Sequence, residues 1–166
     1  MVPVGHQSFL KRKNKVGQVR AVIIALFTLV AGNAQTITEK DVAGTWAIKQ
    51  VSFDGCGIDF EHDTVFLSDG VKQEMNAETS AAYMQKLHDG LNRFHDMRLI
   101  LTVDGASEIF MDGITNKGSY AITSKEGVSY FRDEALKGCA ITLPGKDMQW
   151  QITEEGQTMI MLFKKQ

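Results

Sequence analysis

Three histidines, each with carboxylates nearby in the sequence, are the side chains of this chain that could bind a metal ion. His62 lies between Glu61 and Asp63, and His88 and His95 stand near the end of a predicted helix. Zinc is held by such imidazole and carboxylate groups when three or four of them converge. The spacings here match no compact ligand motif, so we expect solvated surface histidines and no metal site.

Sequence signatures of catalysis are missing from the chain. It contains no Gly-x-Ser-x-Gly nucleophile motif, no phosphate-binding loop, no dinucleotide fingerprint and no Cys-x-x-Cys pair. Combinations of Ser, His and Asp occur in any chain of this length and carry no weight alone. We therefore expect no catalytic residues, no cofactor and no enzymatic activity.

The first 34 residues have the layout of a secretory signal peptide. A region with five basic residues and no acid precedes an apolar run at 21–31, and small residues follow at Gly32 and Ala34. We predict cleavage after Ala34, which makes 1–34 the signal peptide. The apolar run is shorter than the ~20 residues that a membrane span needs; a single membrane anchor is the alternative. We expect an exported protein, periplasmic or extracellular, with no stable membrane anchor after cleavage.

The remaining residues, 35–166, have the length of one domain. The first 34 residues hold five of the 18 basic residues and none of the 20 acidic ones, so 35–166 carries a net charge of about −7. An acidic protein of this kind is a poor candidate for binding nucleic acid or anionic membranes. The acids are scattered along the chain, which indicates a solvated surface.

The chain has two cysteines, Cys56 and Cys139. In an exported protein an even number of cysteines favours a disulfide. Such a bond would tie the region after the first strand to a strand near the C-terminus. The alternative, two buried free thiols, remains open.

Strand signals dominate 35–166. Turns that contain glycine recur at spacings of roughly 8–12 residues, which is typical of all-β sandwiches and barrels. They include Asp54-Gly55, Ser68-Asp69-Gly70, Asp104-Gly105 and Asp112-Gly113 with Asn116-Lys117. The candidate strands are 45–53, 64–67, 98–103, 107–111, 118–123, 128–131, 139–143, 148–153 and 158–163. Strands joined by short hairpins give up-and-down topology, and eight or nine of them remove their exposed edges by closing into a barrel.

Two shorter features refine this prediction. Thr38 and Asp41 are spaced as a capping box, so a helical turn that covers one end of the barrel can start at Thr38; an ordinary polar linker is the alternative. In the first strand the apolar alternation changes parity near Gln50, because Trp46 and Ile48 fall on one parity and the later apolar residues on the other. A β-bulge there would restore the register.

One helix interrupts the strands, over 77–94. Asn76 is a suitable N-cap, and an apolar stripe follows at spacings of three and four residues. The stripe residues are Met84, Leu87, Leu91 and Phe94. We interpret the stripe as core packing against the sheet.

At Val42-Ala43-Gly44-Thr45-Trp46 the chain resembles the Gly-x-Trp signature of lipocalins and fatty-acid-binding proteins, the calycin barrels. In particular it is similar to secreted bacterial lipocalin-like domains, which have a Gly-Thr-Trp strand, an inserted helical segment and then hairpins. Lipocalins place an arginine over the tryptophan, whereas the last strand here ends in Lys164 and Lys165. The resemblance implies a mainly β, up-and-down antiparallel lipocalin-like barrel of about eight strands over 35–166, with one inserted α-helix.

The resemblance also implies that the barrel binds a small, largely hydrophobic molecule. The candidate lining residues are Trp46, Ile48, Leu101, Tyr120, Met148, Trp150, Met159 and Met161. Other methionines and aromatic residues that could line the cavity, or simply fill the barrel, are Met84, Met111, Phe110, Tyr130 and Phe131. A second hypothesis is a secreted protein-protein interaction module with a solid-packed barrel, no ligand and an exposed apolar patch near Tyr83. The first predicts a cavity of roughly 300 Å³ or more, and the second predicts a filled interior and a protein partner.

Overall fold

A computed structural model describes residues 36–134 and 138–166. The predicted signal peptide, 1–34, lies outside the described residues. The strands in chain order are β1 (Gly44–Phe53), β2 (Cys56–Asp59), β3 (Thr64–Phe66), β4 (Arg98–Leu101), β5 (Ala106–Met111), β6 (Ile114–Lys125), β7 (Val128–Asp133), β8 (Cys139–Thr142), β9 (Asp147–Glu154) and β10 (Gln157–Lys165). The helices are α1 (Glu39–Val42), α2 (Asp69–Glu74) and α3 (Ala77–Leu91), which continues as a 3₁₀ turn, Asn92–Phe94.

Eight of these strands form a closed antiparallel barrel. From β4 to β10 each strand pairs with the next along the chain, β4 also pairs with β1, and β10 closes the ring by pairing with β1. The predicted fold class, a mainly β up-and-down barrel of about eight strands with an inserted helix, is thus confirmed. We call the end where β1 begins, at Gly44, the lower end of the barrel, and the end at Phe53 the upper end.

β1 is the strand that joins the barrel to the inserted segment. Along one edge its first half pairs with β4 and its second half with β2, while its other edge pairs with β10. The register shifts between Ile48 and Gln50, so the predicted bulge is confirmed. Lys49 is the extra residue at this bulge, and its ammonium lies 3.3 Å from Glu61 and 3.4 Å from Asp147.

The inserted segment consists of the β2–β3 hairpin followed by α2 and α3. Helix α3 begins as predicted, because the side-chain oxygen of Asn76 accepts a hydrogen bond of 2.9 Å from the Thr79 amide. The helix packs against β2 and β3. Leu91 and Phe94 of the predicted stripe are buried, and Leu87 is packed beside them. The part of the stripe from Leu87 to Phe94 is thus core packing, whereas Met84 lies outside this cluster.

The lower end is closed by α1. Thr38 forms the predicted capping box, in which its amide and its hydroxyl both donate to the Asp41 carboxylate, at 2.9 and 2.7 Å. Val42, at the end of α1, is fully buried beneath the barrel. The carbonyl oxygen of Val42 accepts a 2.7 Å hydrogen bond from Nε1 of Trp46, which fixes the indole over this end.

Three elements differ from their predicted form. A strand, β2, forms where none was predicted, and α2 replaces a predicted turn after Ser68. β6 begins at Ile114, so Asn116 and Lys117 lie inside a strand and not in a turn. Only the Asp112-Gly113 pair adopts the positive φ angles of a tight turn there.

Candidate functional site

The candidate lining residues all lie on strands of the closed barrel, and the alternation of the strands turns them to its inner face. Seven of them are at most 7% exposed, and Met159 is half-buried. All eight belong to or pack against one cluster of buried side chains. The fold therefore brings the residues chosen from the sequence into one region.

A row of aromatic rings runs through this interior. The centroids of Tyr120 and Phe131 are 5.1 Å apart, those of Phe131 and Trp150 are 4.6 Å apart, and those of Trp150 and Phe163 are 5.1 Å apart. Phe131 and Phe163 are both fully buried, and of the two only Phe163 was not predicted to line the interior. Its place in the row depends on cross-strand register, such as its pairing with Met148. The sequence alone does not reveal that register.

The two indole N–H groups of the chain lie in different environments. Nε1 of Trp46 donates to the Val42 carbonyl, as described above. Nε1 of Trp150 is buried and has no hydrogen-bond partner among the residues that the structure describes. Because a buried donor without an acceptor costs roughly 1–3 kcal/mol, such a group calls for an explanation.

The lower end of the interior is polar where Tyr120 reaches it. The hydroxyl of Tyr120 donates to the carbonyl oxygen of Thr102 at 2.7 Å and lies 3.4 Å from that of Glu39. Burial raises the pKa of Tyr120 to about 12, with smaller contributions from the negative charges of Glu39 and Asp104. Oε1 of Glu39 accepts a 2.8 Å hydrogen bond from the amide of Ile122. These contacts hold α1 against the barrel.

The predicted disulfide between Cys56 and Cys139 is not present, and both residues are buried free cysteines. Cys56 lies on β2 and Cys139 on β8, with β1, β10 and β9 between them in the sheet. Four interstrand steps of about 4.8 Å therefore separate them along the wall, whereas a disulfide needs Cα atoms roughly 4.4–6.8 Å apart. The alternative prediction, two buried free thiols, is therefore confirmed.

Each thiol has its own surroundings. The sulfur of Cys56 accepts a hydrogen bond of 3.3 Å from the amide of Ser68. Burial raises the pKa of the Cys139 thiol to about 12, with a smaller contribution from Asp133. Since the thiolate is the reactive form, Cys139 is held in its unreactive state.

Each histidine has a carboxylate near it. His62 contacts Asp59 at 2.8 Å, His95 contacts Asp96 at 3.0 Å, and the nearest carboxylate of another element to His88, that of Asp63, is 4.0 Å away. Within 36–134 and 138–166, no three His, Cys, Asp or Glu side chains are grouped so as to hold a metal ion. The absence of a bound metal remains a prediction.

A concave site also lies on the outer face of the barrel, over β1, β4, β5 and β6. Its volume is about 280 Å³, and its lining residues are Thr45, Arg98, Ile100, Glu108, Phe110 and Thr115. Phe110 was predicted to be able to line the interior cavity, and this is wrong: it stands opposite Arg98 on the outer face. The other five residues were not sequence-based candidates, because an outer face of alternating polar and apolar residues has no special sequence signal. Tyr83, the centre of the predicted apolar patch, is half-buried on α3.

The closed eight-stranded antiparallel barrel with one inserted helix is consistent with a lipocalin-like fold. A comparison with protein-family models and with curated proteins found no match to this chain. Among the helices of the described residues, none has the length and apolar character needed to cross a membrane.

Proposed function

We propose that this protein is an exported, bacterial member of the calycin type that binds a small, largely hydrophobic molecule inside its barrel and catalyses no reaction. The proposed compartment is the periplasm or the extracellular space, reached through a signal peptide at 1–34. The interior that would receive the ligand is the apolar cluster described above, with the eight predicted residues as its lining.

The observation that carries this proposal is the unpartnered indole N–H of Trp150. The group is buried in an interior whose other large side chains are apolar. An oxygen atom of a bound molecule beside Nε1 would remove the cost of leaving this donor unsatisfied. A ligand with an apolar body and one hydrogen-bond acceptor therefore fits the site better than a pure hydrocarbon.

Methionines next to Trp150 give the interior a means to admit such a molecule. Met161 stands directly opposite Trp150 in the β9–β10 ladder, and Met148 lies on the same face of β9. Met159, one step nearer the upper end, is half-buried. Methionine is unbranched and its thioether is polarisable, so these side chains can rearrange around a ligand at small cost.

The second candidate is an interaction module with a filled barrel, and the aromatic row favours it. Rings with centroids 4.6–5.1 Å apart are in direct contact, and a barrel of eight strands is narrow enough for side chains alone to fill it. In that case Nε1 of Trp150 would donate its hydrogen bond to a buried water molecule, and the protein partner would bind on an outer face of the barrel.

Native mass spectrometry of the exported protein, before and after mild organic extraction, tests the choice between these candidates. The binding protein is expected to carry a small molecule that is lost on extraction. In a ¹⁵N–¹H correlation spectrum, loss of this ligand should move the indole resonance of Trp150, whereas that of Trp46, bonded to a carbonyl, should stay in place. A clean protein mass, together with no movement of the Trp150 resonance when fluorescent fatty-acid probes are added, would favour the filled barrel.

A further inference from the structure

The outer groove is built from two rows of side chains that cross four adjacent strands. In one row Arg98 stands directly opposite Phe110, which in turn stands opposite Thr115. In the other row Ile100 lies between Thr45 and Glu108. Because residues directly opposite in a ladder share a face of the sheet, the two rows form one continuous surface outside the barrel.

The floor of this groove is apolar. Ile100 is 44% exposed, one of the large hydrophobic side chains most open to solvent, and Phe110 beside it is half-buried. The inserted helix packs on β2 and β3, which lie beside the second half of β1, whereas the groove lies over the first half of β1 and over β4, β5 and β6. The exposed apolar surface is available to a ligand with an alkyl or aryl group.

The two charged side chains of the groove differ in whether they have an ion-pair partner. Arg98 is exposed, and its side chain has no ion pair or hydrogen bond within the part of the chain that the structure describes. The carboxylate of Glu108 is already neutralised by the ammonium of Lys117, at 2.7 Å. One positive charge is thus left beside the apolar floor, in a protein whose domain is otherwise acidic.

We propose that this groove is a second binding site, for a small amphipathic carboxylic acid. The guanidinium of Arg98 would donate two parallel hydrogen bonds to the carboxylate, and the apolar part of the molecule would lie over Ile100 and Phe110. Thr45 on β1 and Thr115 on β6 complete the lining on either side of these residues. The volume of about 280 Å³ is at the lower limit of ligand pockets, so a short-chain acid fits and a long lipid does not.

Octanoate is a suitable probe, because it combines one carboxylate with a short alkyl chain. We expect a ¹³C-methyl NMR titration of the exported protein with octanoate to move the resonances of Ile100, Thr45 and Thr115 in a saturable manner. Octanol, which has the chain without the charge, should bind several-fold more weakly. Raising the salt concentration should weaken octanoate binding and leave octanol binding unchanged, since salt screens exposed charges.

Two variants test the part played by Arg98. R98Q should weaken octanoate binding about fivefold, the scale expected for an exposed ion pair, and should leave octanol binding as it is. K125Q removes the same charge from the exposed end of β6, outside the groove, and should change neither. Both side chains are exposed, so neither substitution threatens the fold.

Tryptophan fluorescence separates this site from the interior one, because both tryptophans of the chain lie inside the barrel. Binding in the groove should leave the fluorescence unchanged. If octanoate instead shifts the fluorescence and R98Q binds it as well as the wild-type protein, the proposal for the groove is wrong while the interior site is supported. The proposal is equally overturned if the groove resonances stay unmoved at saturating octanoate.

Discussion

The ammonium of Lys165 lies 5.2 Å from the centroid of the Trp46 ring, at the lower end of the barrel. A cation over an indole face is attracted by the ring quadrupole. The backbone secures this arrangement, because the amide of Gln166 donates to the carbonyl oxygen of Thr45 at 2.9 Å. Gly44 leaves the space that the lysine crosses, since a Cβ there would lie 2.7 Å from Cε of Lys165. The cation over the tryptophan is therefore a lysine.

The first prediction concerns this contact. K165A should lower the free energy of unfolding by about 0.5–1 kcal/mol, the usual size of an exposed cation–π interaction, whereas K165R should keep it. Urea unfolding followed by tryptophan fluorescence measures both, with K125A as the control for loss of an exposed lysine. Equal destabilisation of K165R and K165A would mean that the cation above the ring contributes nothing.

The sequence predicts the fold well because most strands and turns of the barrel are specified by residues close together in the chain. The parity of Trp46 and Ile48, the change of parity near Gln50 and the glycine turns each specify a strand or its end, and the structure bears them out. β2 was not predicted because its four residues, Cys56–Asp59, are too few to show alternation. α2 was not predicted because Ser68-Asp69-Gly70 fits a turn as well as it fits the start of a helix.

The sites are harder to predict because they depend on residues that meet only across strands. The contact of Trp150 with Phe131 and Phe163 follows from the register of β7 to β10. The outer groove follows from the pairing of Arg98 with Phe110 in β4 and β5. The cysteine pair shows the same limit: their number suggested a bond, and only the strand order shows that they lie four strands apart in the sheet.

Gly57 gives the second prediction. It stands opposite Ser52 in the β1–β2 ladder, and a Cβ on it would overlap the carbonyl oxygen of Val51 and lie 2.7 Å from Cα of Ser52. Since backbone atoms cannot move aside as a flexible side chain can, G57A should destabilise the protein by about 3 kcal/mol or more. Urea unfolding measures the change.

The matched control for this substitution is G90A. Gly90 lies inside α3 with nothing within 4 Å of the position that its Cβ would take. Alanine there should stabilise the protein by up to about 1 kcal/mol, because it favours the helix. If both substitutions destabilise the protein equally, the close approach at Gly57 is not the cause of its effect.

The third prediction concerns the two thiols. The mass of the exported protein should be the same with and without a reducing agent, because no disulfide joins Cys56 and Cys139. Iodoacetamide at pH 8 should modify Cys139 only after unfolding in urea, since the residue is buried and its pKa is raised to about 12. A mass about two daltons lower without the reducing agent would show that Cys56 and Cys139 form a disulfide, and the prediction would be wrong.

The fourth prediction is a loss of stability at alkaline pH. Burial holds Tyr120 and Cys139 in their neutral forms and raises the pKa of each to about 12 in the folded protein, from ordinary values of 10.0 and 9.0. The unfolded chain releases these protons at lower pH, so the stabilisation is complete below about pH 9 and is lost as the pH rises towards 12. Urea unfolding between pH 7 and 11 measures this slope.

Variants assign the alkaline slope to these residues. Y120F and C139A should each flatten it, and Y120F should also lower stability at pH 7 by about 1 kcal/mol, because the hydroxyl donates to the Thr102 carbonyl at 2.7 Å. Y130F, which alters a half-buried tyrosine outside the aromatic row, is the control and should keep the wild-type slope. An unchanged slope in Y120F and C139A would disprove the assignment.

The fifth prediction concerns Glu39, which holds α1 to the barrel. Its carboxylate accepts the 2.8 Å hydrogen bond from the Ile122 amide, and this bond lowers its pKa below the ordinary 4.5. A lowered pKa means that the stabilisation is complete above about pH 4.5 and is lost as the pH falls below that value. E39Q should therefore cost about 1 kcal/mol at pH 7, where the charge strengthens the bond, and progressively less towards pH 3. E154Q, at an exposed strand end, is the control, and its stability should match that of the wild-type protein at every pH. If the loss of stability in E39Q does not become smaller in acid, the charge of Glu39 is not what holds α1 to the barrel.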